Sequence, residues 1–199
     1  MQTIRLSLRN LATRVICLAA LTMFSSCEKD NEKTTDKEIV TVKAEMGNFE
    51  IVSSVKYENN ELELDELSFP TTIPDNYLTQ VVERAGVVVS DAQAKIGEVW
   101  VTAYNSAGER IGSFSKFSND SYPLNLELRW YAYYIYADRS FTRKGKSTEI
   151  GQPEFATEID CSFEKGWNVM YYILAERKYT TQKPSGKDFV WYYEAFGID

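Results

Sequence analysis

The chain has 199 residues, 44 % of them hydrophobic and 26 % charged, a formal charge of −7 and no histidine. Its length suits one domain, and its balance is that of a globular protein. The missing histidine excludes a Ser-His-Asp triad, a Cys-His pair and any His-ligated zinc or iron site. The acidic balance argues against a nucleic-acid partner, which would need clustered Lys and Arg.

Residues 1–26 read as a leader. Arg5, Arg9 and Arg14 form a positive start, and an apolar run from Leu11 to Phe24 follows, too short and too weakly flanked for a spanning helix. The run ends in Phe24-Ser25-Ser26-Cys27. This resembles a bacterial lipobox, in which the Cys is acylated and becomes the mature N-terminus, so Cys27 is the expected lipidation site. The alternative is an ordinary secretory signal with an incidental Cys27. Loss of the leader takes the charge from −7 to −10, because it carries three Arg and no acid. Residues 28–38 (EKDNEKTTDKE) have no apolar side chain and read as a disordered tether.

The folded domain is expected over residues 39–199. Alternating residues predict strands at 39–44, 49–57 and 61–67, the last with Leu62 and Leu64 inward. Glu61, Glu63 and Asp65 line its outer face, where a solvated surface is a better reading than a calcium site. Tyr77, Val81 and Ala85 have helical spacing ahead of Gly86, although the valines suit a strand equally well. Residues 98–104 and 110–117 predict a hairpin about Asn105-Ser106-Ala107-Gly108.

The longest alternating stretch is LNLELRWYAYYIYAD, residues 124–138. Leu124, Leu126, Leu128, Trp130, Ala132, Tyr134 and Tyr136 share one face; Glu127, Arg129, Tyr131, Tyr133 and Ile135 share the other. It predicts a long central strand with one oily face. A turn at Lys144-Gly145, a hairpin of 158–163 with 167–175, and a closing strand at 189–196 complete the reading. The expected architecture is all-β: an antiparallel, immunoglobulin-like β-sandwich of eight to nine strands with at most one short helix. A Greek-key barrel is the main competitor.

Cys161 stands in step with Ile159 and Phe163 and reads as a buried thiol. A histidine-free hydrolase built from carboxylates alone is the enzymatic alternative, but Glu127, Asp138, Glu154, Glu158, Asp160, Glu164 and Asp188 sit in no recognisable motif. No enzyme, cofactor or metal is therefore expected. The aromatics are the better lead, with 13 Tyr, 10 Phe and 4 Trp. With Val99, Val101 and Ala103 inward, Trp100 and Tyr104 face outward; Tyr131 and Tyr133 lie on the less oily face of the central strand. Flat rings with polar edges stack on sugars and also bury against protein partners. The competing reading is that a second layer or the tether covers them.

Three segments carry a resemblance: residues 90–97 (SDAQAKIG) before a Tyr-ended strand, Tyr136-Ala137-Asp138-Arg139 followed by Lys144-Gly145, and residues 163–172 (FEKGWNVMYY). Over roughly residues 85–180 the chain resembles small, largely uncharacterised Bacteroidota-type surface lipoproteins. The charged run after Cys27 resembles the export signal of such proteins, with a plain solvated spacer as the alternative. The resemblance implies a β-sandwich anchored by lipid to the outer membrane and facing the exterior, and it implies no catalytic residue. The expected function is a non-catalytic extracellular binding domain, for a glycan first and for a surface protein or envelope assembly second.

Overall fold

The computed structural model describes residues 38–52, 55–59, 61–64, 68–119, 129–149 and 152–196, with side chains 148, 149 and 152–155 excepted. The leader, Cys27, nearly all of the tether, Asp65 and residues 124–128 lie outside this set. Among the described residues, no helix is long and apolar enough to cross a membrane.

The described chain is all-β. Strands β1 (Thr41–Met46) and β2 (Phe49–Val52) form a hairpin about Gly47, whose φ of 60° suits glycine. Strands β3 (Lys56–Glu58) and β4 (Glu61–Glu63) pair as a separate ribbon. A 3₁₀ turn at Asp75–Tyr77 leads to the short β5 (Thr79–Gln80), β6 (Val87–Val89) and β7 (Lys95–Glu98). Strands β8 (Trp100–Tyr104) and β9 (Arg110–Ser118) make the expected hairpin, with Gly108 at φ 75°. Then follow β10 (Trp130–Ala137), β11 (Phe141–Glu149), β12 (Gln152–Phe163), β13 (Gly166–Ile173), β14 (Lys178–Thr180) and β15 (Phe189–Ala195).

Thirteen strands share one sheet, with path β2-β1-β8-β9-β10-β13-β14-β12-β11-β6; β15 pairs with β9, and β7 joins β10 to β5. Strand β10 is buried on both faces. Tyr134 and Tyr136 enter a core with Val42, Val101 and Phe114. Ile135 and Ala137 enter a second core with Ile159, Cys161 and Phe163. The second face is therefore covered, with Ile135 only 1 % exposed. The alternating pattern marked this face as the less oily one, with cover by a second layer as one reading; β12, β11 and β6 close over it.

Four local expectations change for identifiable reasons. The sheet is mixed, not purely antiparallel, because β14 runs parallel to β12 while pairing antiparallel with β13. That insertion also removes the expected hairpin of 158–163 with 167–175: β12 pairs with β11 and β14 instead. No helix forms over 77–85, since the Val81 N–H reaches the Ala94 carbonyl at 2.8 Å and its side chain enters the second core. Lys144-Gly145 is no turn. Strand β11 runs straight through it; Gly145 has φ 139°, and a side chain there would meet the Gly86 carbonyl at 2.1 Å, so both the angle and the close approach require glycine. The fifteen described strands exceed the eight to nine expected, because the chain breaks where it changes neighbours. At Val99, for instance, its N–H binds Tyr134 between a strand on β10 and one on β1.

Candidate functional site

Register decides which side chains share a face. Glu98 pairs with Ile135, so both look toward the second core. Alternation then carries Trp100, Thr102 and Tyr104 onto that side of the sheet, as it does Tyr131 and Tyr133 on β10. All four rings singled out from the sequence thus lie on one sheet face, in different settings. Trp100 is 56 % exposed. Tyr104 is half-buried; its hydroxyl donates to Glu45 Oε2 at 2.6 Å, and the Lys43 ammonium lies 5.6 Å from its ring centre. Burial, and then the Glu45 carboxylate, push the Tyr104 phenol up to about 12. Between the two, Thr102 is fully buried, and its hydroxyl has no hydrogen-bond partner among the described residues.

Tyr131 belongs to a row of rings crossing five strands. It pairs directly with Phe117 on β9 and Tyr172 on β13, and Tyr172 pairs with Tyr179 on β14. Tyr192 of β15 stacks on Phe117 at 4.0 Å, and Tyr179 on Tyr172 at 4.4 Å. Tyr133 stacks beside Tyr131 at 6.3 Å and packs against the second core. Burial holds its phenol well above the ordinary tyrosine range.

Next to this face lies a cavity of about 650 Å³. Its deep walls come from Ile135, Phe141, Ile159 and Phe163, and exposed Arg84, Thr79 and Trp100 stand at its rim. Of the four rings, Trp100 alone lines it. Besides Arg84, two charged side chains line it: Glu98, from the end of β7, and Arg143, near the start of β11. Burial raises the Glu98 carboxyl above its ordinary range. Burial, followed by the charge of Arg84, makes the Arg143 guanidinium easier to deprotonate than usual. Burial, with Tyr172 and Glu98 adding to it, raises the Tyr179 phenol, and the charges of Arg143 and Arg84 oppose the rise. The sequence reading missed Arg84, Glu98 and Arg143. Arg143 was legible in principle, since it alternates with Phe141 and Gly145, but the turn assigned at 144–145 hid the pattern.

No protein-family model matches the chain, no curated protein matches it in sequence, and no solved structure matches it in fold. The site is read from its own geometry.

The other sequence candidates have structural partners or lie outside the described residues. Cys27 is outside them. Glu61 and Glu63 are exposed, and Lys56 reaches Glu63 at 3.8 Å. Asp138 accepts from the Lys95 N–H, Glu158 pairs with Lys178, and Asp160 pairs with Lys144. The described residues hold no group of three or more metal-binding side chains. Cys161 is fully buried, and burial pushes its thiol up to about 12.

Proposed function

We propose that this protein is a lipid-anchored, outward-facing component of the outer membrane, whose β domain binds a glycan without transforming it. The observation that carries the glycan reading is Trp100. A large ring 56 % exposed on a flat strand face, with Glu45 opposite it in register and the Tyr104 hydroxyl two residues beyond Thr102, offers a stacking plane beside polar groups. Residues i and i+4 of a strand lie about 13 Å apart, a span that a few sugar units bridge. On a glycan array, Trp100→Ala should abolish the signal while leaving the melting temperature nearly unchanged; retained binding would end this reading. The anchor is tested separately. Radiolabelled palmitate should enter the wild type and not Cys27→Ser, and equal labelling would refute it.

The immunoglobulin-like sandwich is part of the same proposal. It is supported by the all-β make-up of the described residues and by their mostly antiparallel pairing. An assembly role is the second reading, favoured by β6. This strand ends the sheet path, and Val88 on it is 69 % exposed. A concentration-dependent dimer in light scattering that Val88→Lys dissolves would favour it over the glycan reading.

A further inference from the structure

We infer that the cavity lined by β7, β10, β11 and β12 binds an alkyl carboxylate, with its head group on the guanidinium groups of Arg143 and Arg84 and its chain against the apolar deep walls. Arg143 sits where an apolar residue would be expected. In register it lies between Cys161 of β12 and Val89 of β6, both buried. Its Nε is buried and has no hydrogen-bond partner, and no acidic side chain pairs with it among the described residues. Arg84 at the rim has no ion pair there either, and the two cations act on each other.

Glu98 lines the same cavity, yet it pairs with neither arginine. Burial favours its neutral form, so it opposes an incoming anion weakly. A half-buried guanidinium beside a second cation is less costly once a counter-charge reaches it, and its planar fork matches a carboxylate. The remaining walls set the rest of the ligand. Ile135, Phe141, Ile159 and Phe163 offer an alkyl chain an apolar end, and about 650 Å³ falls within the range of small-molecule sites, roughly 300–1,000 Å³.

The test is calorimetric titration of the full chain carrying Cys27→Ser, which keeps it free of a covalent acyl chain, with decanoate and with decanol. Decanoate should bind about tenfold more tightly than decanol, a ratio equivalent to about 1.4 kcal/mol. Arg143→Met should bring the two affinities together with decanol binding retained, and Arg84→Ala should reduce the ratio. No decanoate binding below its micellar concentration, equal affinity for the two ligands, or an unchanged ratio in both variants would overturn the inference. If Arg143→Met does not fold, Arg84→Ala decides by itself. The titration contains no sugar, so its outcome is separate from that of the glycan array.

Discussion

At the scale of single residues, the second core joins apolar packing to displaced protonation equilibria. Cys161 is fully buried with its thiol pushed up to about 12, so almost no thiolate exists at neutral pH. In the native protein Cys161 should therefore resist iodoacetamide at neutral pH and label promptly once unfolded, as read at that residue by mass spectrometry; fast native labelling of Cys161 would mean that the cavity opens to it. Glu98 has a pH signature. The folded chain holds its proton more tightly than the unfolded chain does, so its burial costs nothing below the ordinary carboxylate range. The cost grows as pH rises toward the folded value and is complete above it. Glu98→Gln should raise the denaturant midpoint at neutral pH, with the gain vanishing in acid; a gain independent of pH would point to another cause.

At the scale of elements, aromatic rows and close strand approaches carry the sheet. The sequence pattern puts Trp130 on the oily face of the central strand, yet Trp130 is half-buried, whereas Phe117 on the neighbouring strand is 1 % exposed. Phe117 stacks on Tyr192 at 4.0 Å and has the Arg129 guanidinium 4.4 Å from its ring centre. Phe117→Ala should cost about 3–5 kcal/mol. Trp130→Ala should cost roughly 1–2 kcal/mol, in keeping with half burial; denaturant melts giving the reverse order would show that the row is not the stronger packing. Gly145 makes a second contrast. With φ 139° and the Gly86 carbonyl 2.1 Å from where a Cβ would sit, Gly145→Ala should cost about 2–3 kcal/mol and loosen β6 from β11. Gly108→Ala meets no atom within 4 Å and should cost only about 1 kcal/mol, from its positive φ.

At the scale of the described domain, pairing joins distant parts of the chain: β1 to β8, β9 to β15 and β10 to β13. The last strand is integral. Seven residues of β15 pair with β9, and its alternating rings serve both faces, Trp191 and Tyr193 toward the first core and Tyr192 onto Phe117. A chain ending at residue 188 should lose its cooperative melt by circular dichroism; a sharp transition near that of the intact chain would show that β15 is dispensable.

Local chemistry made several elements legible without any fold. Period-two alternation is a property of neighbouring residues, and it places the 98–104 and 110–117 hairpin, the buried Cys161 and the last strand. The Asn105–Gly108 turn is equally local, because Gly108 supplies a positive φ. The same alternation hints that Trp100 and Tyr104 share a face. Which strands meet is another kind of fact. Backbone hydrogen bonds between strands are indifferent to side-chain identity, so nothing local says that β14 inserts beside β12 or that β11 runs through Gly145 to reach β6. Those pairings turn the second face of β10 into a core and set Glu98 and Arg143 around one cavity. Arg143, in step with Phe141 on an otherwise polar strand, was visible in the sequence, but only the tertiary structure gave it a cavity, because burial and missing counter-charges are properties of the neighbours that the fold brings in.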